Sequence, residues 1–274
     1  MINRGEFQDK LPDGVSLGVQ IHDGGQRKVF EADDGGEKVV IKLMPEEDRN
    51  RAEREVAIGS TFDHPNLPRI LDTEVFDVEL EGEEFVWFRE RFIEGETLEA
   101  RGNGFDPCEA LSLAADLAAA VTYLWERHTV VHRDIKPINI MVRPEGSFVL
   151  IDVGIGRHQT ESSITSGLLG PGTRGHVAPE QMLPNKGRKL DSRTDLFLIG
   201  IVVYQVLVGV RPFRPERPDY ETKLMAGEWP RPDGLPKPVA DLLERLLGNR
   251  PHQRPSLAQA TAMIDAARKE LECS

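Results

Sequence analysis

Val131-His132-Arg133-Asp134-Ile135-Lys136-Pro137-Ile138-Asn139 places a carboxylate, an ammonium and a carboxamide within one short polar stretch. Asp134 can accept a proton, Lys136 can neutralise a phosphate oxygen, and Asn139 can offer an uncharged amide oxygen to a hard cation such as Mg²⁺. Together these chemistries suit phosphoryl transfer, which needs positioning, charge neutralisation and a base for the attacking hydroxyl more than covalent work by the protein. A lone His-x-Asp reads as a polar surface loop. The fixed register of six identities does not.

The stretch resembles the catalytic loop of eukaryotic-like, bacterial-type serine/threonine protein kinases, with the His-Arg-Asp and Asn of that signature, and Lys136-Pro137 resembles the serine/threonine branch. The resemblance implies that Asp134 is the catalytic base, that Lys136 stabilises the transferring phosphate, and that Asn139 binds a metal. It extends from about residue 15 to residue 267.

Composition is consistent with this. The chain has 274 residues, 39% of them hydrophobic, enough for one large domain or two packed lobes. A net charge of −12 argues against a nucleic-acid or anionic-membrane surface and favours basic peptide segments as partners. The N-terminus has no apolar signal core, and the apolar run 196–210 is too short to span a bilayer. Cys108 and Cys273 lie far apart without metal-type spacing, which predicts neither a disulfide nor a zinc site and points to a reducing, cytoplasmic setting.

Residues 17–21, 27–32 and 38–44 read as three antiparallel strands separated by Asp23-Gly24-Gly25 and Asp33-Asp34-Gly35-Gly36. The first turn falls where kinases carry a phosphate-covering G-x-G-x-x-G-x-V loop. Gly24 and Val29 match it, whereas His22 and Arg27 replace the outer glycines. Val39-Val40-Ile41-Lys42 resembles the V-A-I-K strand, so Lys42 is implied to bridge the α- and β-phosphates of ATP. Glu55, in the charged-then-apolar helix before Asp63-His64-Pro65, is assigned as its ion-pair partner, with Glu53 as fallback. Two further strands, 74–79 and 85–92, complete a five-stranded first lobe. Counting back from Gly95 puts Glu90 where the family carries a neutral side chain at the rear of the adenine pocket. A one-residue bulge would put Arg89 or Arg91 there instead.

From Pro107 apolar residues recur at three and four, predicting a long helix that Asp106-Pro107 opens and that delivers the chain to the catalytic loop. A short hairpin leads to Asp152-Val153-Gly154, which resembles the family's D-F-G with Val153 in place of phenylalanine. Asp152 is thereby the implied primary Mg²⁺ ligand. Residues 157–171 carry Thr160, Ser162, Ser163, Thr165 and Ser166, and read as a mobile loop. Gly172-Thr173-Arg174-Gly175-His176-Val177-Ala178-Pro179-Glu180 resembles the segment that closes the kinase activation loop. There Thr173 is implied to contact Asp134 and Lys136, and Glu180 to pair with Arg254. Asp195, opening an all-round apolar helix, is implied to hold the catalytic-loop backbone.

The expectation is a two-lobed α+β protein-kinase-like fold over residues 1–274. It has a five-stranded N-lobe with one helix, at about 15–93, and a larger helical C-lobe, at about 94–270, with MgATP in the cleft. The implied function is transfer of the γ-phosphate of ATP to serine or threonine hydroxyls of protein substrates. Activation by autophosphorylation of the 160–166 hydroxyls through self-association is also expected. Two alternatives stand beside it: a pseudokinase acting as a nucleotide-dependent binding module, and a small-molecule kinase.

Overall fold

The computed structural model describes residues 2–24, 27–153, 175–183 and 190–273. The chain divides into two compact units, Met1–Ile93 and Glu94–Ser274.

In the first unit, β1 (Val15–Gly24), β2 (Arg27–Asp34), β3 (Glu37–Pro45), β4 (Phe76–Leu80) and β5 (Glu83–Arg91) form one antiparallel sheet of order β1-β2-β3-β5-β4. The β2–β3 connection is a two-residue turn in which Gly35 and Gly36 take φ of 64° and 96°. Such values favour glycine and match the strand twist of a tight hairpin. The Asp33 carboxylate accepts the Gly36 N–H at 2.9 Å and fastens the turn.

Period-two alternation gives the sheet two buried faces. On one, Phe30, Ile41, Leu43, Leu80 and Trp87 pack around Phe7. Phe7 comes from α1 (Arg4–Lys10), a second α-helix in this unit where one was expected. Its sequence holds a single core residue and so no helical periodicity; the legible signal is the cap, Asn3 Oδ1 accepting from the N–H groups of Gly5 and Glu6. On the other face, Met44, Val86, Phe88 and Ile70 pack against Ala52 and Val56 of α2 (Arg49–Gly59).

The β3–β5 ladder runs without a shift from Val39 opposite Arg91 to Pro45 opposite Phe85. No bulge enters this pair, so Glu90, and not Arg89 or Arg91, lies on the α2 face two residues along from Phe88. Arg89 points the other way, to Asp72 at 2.5 Å and Asp34 at 2.6 Å. Its pKa is raised chiefly by the hydrogen bonds it donates to Asp72.

The second unit opens with β6 (Glu96–Thr97), α3 (Leu98–Arg101) and α4 (Pro107–His128). The expected hairpin is β7 (Ile140–Val142) with β8 (Phe148–Leu150), and β6 joins it as a third strand. Gly95 is required here: a Cβ would lie 2.0 Å from the Val142 carbonyl oxygen, at a φ of 132°. The remaining helices are α5 (Pro179–Met182), α6 (Ser192–Val208), α7 (Tyr220–Ala226), α8 (Lys237–Leu246) and α9 (Leu257–Glu270). A capping box between Asp106 and Glu109, with Pro107 in the first turn, starts α4. Among the described residues α4 is the one helix long and apolar enough to cross a bilayer. Its apolar side is buried from Ala110 to Leu124, and it packs against α6 and α9 as a core helix.

That packing overturns the reading of the cysteines. Cys108, in the first turn of α4, and Cys273, just beyond α9, form a disulfide across 165 residues of sequence. Spacing gave no hint because the bridge follows from helix packing, and the argument from cysteines to a reducing compartment falls with it. Closing so long a loop restricts the unfolded chain, and loss of a native bridge typically costs about 2–4 kcal/mol. Urea unfolding with and without dithiothreitol is expected to show that loss, and an unchanged midpoint would exclude it.

Candidate active site

The loop between α4 and β7 is held from below. Asp195, in the first turn of α6 and fully buried, accepts the backbone N–H groups of His132 and Arg133, each at 2.8 Å. Arg133 sits at φ 68°, a left-handed conformation rare for a side-chain-bearing residue, so the loop shape depends on such restraints. Burial pushes the Asp195 carboxyl up to about 7, while the two amide donors and the Arg133 charge pull it down. The sign follows from linkage. Between about pH 4 and 7 the folded state binds a proton that the unfolded state has released, so this group's contribution is full below about pH 4 and is withdrawn as pH rises through 7. Asp195→Asn is expected to flatten that slope in urea-unfolding series from pH 4 to 8; an unaltered slope would refute the assignment.

His132 had no role in the sequence reading, and the structure gives it one. Completely buried, it takes the Asp134 N–H on Nδ1 at 3.3 Å and donates Nε2–H to the Ile151 carbonyl at 3.2 Å. It therefore ties the base-bearing loop to the residue before Asp152. Gln181 is a second unread contributor: its side-chain amide donates to the Arg133 carbonyl at 2.9 Å and its oxygen accepts from the Ala178 N–H. No local sequence pattern marks either contact.

Above this support the three signature side chains converge. The Asp134 carboxylate lies 3.0 Å from Lys136 Nζ and accepts from Asn139 Nδ2 at 3.1 Å, and Asn139 also donates to the Asp134 carbonyl at 2.8 Å. Pro137–Asn139 forms a single 3-10 turn that brings Asn139 back over Asp134. With its NH₂ committed to Asp134, the atom Asn139 could offer to a cation is Oδ1. The Ile151 N–H donates to the Asn139 carbonyl at 2.9 Å, which brings Asp152 beside it. Asp152 has φ 60°, again left-handed, and Val153 behind it is buried. One carboxylate and one carboxamide form a sparse, oxygen-only donor set. This fits Mg²⁺, which keeps several waters and shares phosphate oxygens, better than an ion wanting a full protein cage. No cluster of three or more His, Cys, Asp or Glu fit for a metal occurs among the described residues.

In the first unit, Lys42 on β3 lies opposite Val29 on one side and Phe88 on the other. It is 2% exposed, and its Nζ contacts Glu55 of α2 at 3.0 Å and Glu90 of β5 at 2.7 Å. Glu53 is half exposed and reaches Arg49 instead. Arg27, two residues before Val29 and on the same face, lies 3.8 Å from Glu55. Gly24 ends β1 paired with Arg27.

Glu180 and Arg254 form a buried, two-pronged ion pair at 2.6 and 2.9 Å, and the Thr194 hydroxyl donates to the same carboxylate at 2.8 Å. Thr173, Gly154 and the hydroxyls from Thr160 to Ser166 lie outside the described residues.

A family model described as the protein kinase domain matches residues 16–264. The chain belongs to the protein kinase domain family. Among its relatives, this kinase domain is 32% identical over 272 residues to the DNA damage-responsive serine/threonine-protein kinase RqkA of Deinococcus radiodurans, covering 91% of this chain and 39% of that one. It is 30% identical to the serine/threonine-protein kinase pkn3 of Myxococcus xanthus, over 91% of this chain and 49% of the relative. With the serine/threonine-protein kinase PkaA of Streptomyces coelicolor it shares 32% identity, over 81% and 41% respectively. The chain thus spans less than half the length of each of these relatives. The serine/threonine character read from Lys136-Pro137 and from the segment around Ala178-Pro179-Glu180 agrees with these matches, which are to bacterial proteins. The family as a whole uses ATP with Mg²⁺ and acts on proteins.

Proposed function

We propose that this domain transfers the γ-phosphate of MgATP to serine and threonine hydroxyls of protein substrates. The observation that carries the reading is the intact charged constellation of the loop, Asp134 with Lys136 at 3.0 Å and Asn139 at 3.1 Å, on a backbone pinned by Asp195. In this reading Asp134 orients the acceptor hydroxyl and takes its proton, and Lys136 neutralises charge developing on the phosphoryl oxygens. Lys42 binds the α- and β-phosphates, with Gly24 and Val29 in the covering turn. Asp152 and Asn139 hold Mg²⁺, which when bound neutralises the phosphates. Thr173 positions the acceptor against Asp134 and Lys136.

Incubation with MgATP and casein-type proteins, beside sugar and aminoglycoside acceptors, tests the reading. Protein phosphorylation supports it. Transfer to the small molecules alone, or nucleotide binding without transfer, overturns it in favour of a small-molecule kinase or a nucleotide-dependent binding module. Lys42→Met and Asp152→Asn are each expected to abolish transfer without unfolding the chain, because both groups face nucleotide or metal.

The same reading extends to regulation and place. Phosphorylation between Thr160 and Ser166 by a second copy of the chain, paired by Arg133, raises activity. Thr165, eight residues before Thr173, is the first candidate. A variant with alanine at Thr160, Ser162, Ser163, Thr165 and Ser166 that kept full activity would remove this switch. The domain works in the cytoplasm, where ATP and protein substrates are supplied.

A further inference from the structure

A glutamate at position 90 is costly on its face. It is 7% exposed, sits in a sheet otherwise lined there by Met44, Val86 and Phe88, and meets a lysine that already has a carboxylate partner. Lys42 and Glu55 balance one another, so a second buried carboxylate adds an uncompensated charge unless a further cation offsets it. Arg27 supplies one, 3.8 Å from the same Glu55 oxygen, Oε1, that Lys42 contacts. The result is an alternating row, Glu90–Lys42–Glu55–Arg27, within the first unit.

The two carboxylates are fastened in different ways. Glu55 rides on α2, which is joined to the sheet by side-chain packing of Ala52 and Val56. Glu90 is on β5, hydrogen-bonded to β3 in unbroken register, so its reach to Lys42 is set by the ladder and is independent of where α2 stands. The Phe88 ring, 5.8 Å from Nζ, lines the same approach.

We propose that Glu90 is a positioning residue that keeps the Lys42 ammonium aligned from within the sheet, so that alignment does not depend on Glu55 alone. The proposal rests on the reading of Lys42 as the phosphate-binding lysine. Its consequence is redundancy: either carboxylate suffices to align the ammonium, and removing both loosens it.

The test is a double-mutant cycle on the full chain with Glu55→Gln, Glu90→Gln and the double variant. Each is assayed for kcat and KM for ATP on casein and for the Kd of a fluorescent ATP analogue with Mg²⁺. Each single variant is expected to lose about tenfold or less in kcat/KM. The double variant is expected to lose at least about tenfold more than the product of the singles. Losses that simply multiply, or a Glu55→Gln variant as inactive as Lys42→Met, overturn the proposal. A role confined to stability is also excluded by the nucleotide Kd, which would then be the same in Glu55→Gln and the double variant.

A second measurement needs neither activity nor nucleotide. By urea unfolding, Glu90→Gln is expected to destabilise the wild type but to stabilise a Lys42→Met background, where Glu90 is left buried without the ammonium. Destabilisation in both backgrounds overturns the shared-ammonium arrangement even if the double variant fails to fold. Absence of ATP binding by the wild type would count against the proposed function, while this sign reversal would still decide the arrangement.

Discussion

Asp134→Asn is expected to lower kcat by about 10²–10⁴-fold while the Kd for MgATP stays within a few-fold, because a general base acts on the acceptor hydroxyl and not on the ground-state phosphates. The substitution is nearly isosteric. The Asp134 side chain is held by Lys136 at 3.0 Å and Asn139 at 3.1 Å, and the carboxamide oxygen of an asparagine still accepts from Asn139. The loop itself is fixed elsewhere, through Asp195 and through His132 to Ile151, so its shape survives the change. Steady-state kinetics with casein, beside fluorescence titration with an ATP analogue, separates the two effects. A loss of nucleotide affinity as large as the loss of kcat would show that Asp134 serves ATP binding rather than the acceptor.

Arg254→Ala is expected to cost about 3–5 kcal/mol, the largest effect on stability anticipated for any single residue in the second unit. The Arg254 side chain is 0% exposed and that of Glu180 is 9% exposed. Truncation leaves the carboxylate in the interior with the Thr194 hydroxyl as its remaining side-chain donor among the described residues. It also strips hydrogen bonds from the carbonyls of Gly248 and Arg193 and removes a guanidinium stacked 4.4 Å from the Phe197 ring centre. A loss of that size corresponds to a Tm lower by roughly 10 °C. Calorimetry reads it directly. Combining Glu180→Gln with Arg254→Met is expected to recover part of the loss, since an uncompensated charge is then no longer buried; additive losses would show that the ion pair is not the cause.

Much of this molecule is legible in its sequence. The alternation of β-formers around Gly35-Gly36, the three-and-four recurrence after Pro107 and the all-round apolar character of α6 are local properties, set by periods of two and 3.6 residues. The placement of Asp134, Lys136 and Asn139 was equally legible, because a single tight turn brings them together and their chemistry needs that spacing. The pairings of Lys42 with Glu55 and of Glu180 with Arg254 join residues far apart in sequence, and the family resemblance, not the residues themselves, foretold them.

Where the partner is brought by packing and no motif records it, the sequence was silent. Its view of position 90 stayed open among Arg89, Glu90 and Arg91, since one bulge would flip every side chain to the other face; the unbroken β3–β5 register settled it. The Cys108–Cys273 bridge depends on α4 and α9 lying side by side, and a count of two distant cysteines holds no trace of that. His132 and Gln181 act through backbone carbonyls and N–H groups, which carry no side-chain signature, so no side-chain pattern could name their partners. Sequence alone therefore determined the main strands and helices, though not α1 or β6, and which chemical groups the catalytic loop carries, because both are local. The second carboxylate on Lys42, the disulfide and the ties that His132 and Gln181 make to the loop were decided by tertiary structure, because each requires separate segments to be packed before its partner exists.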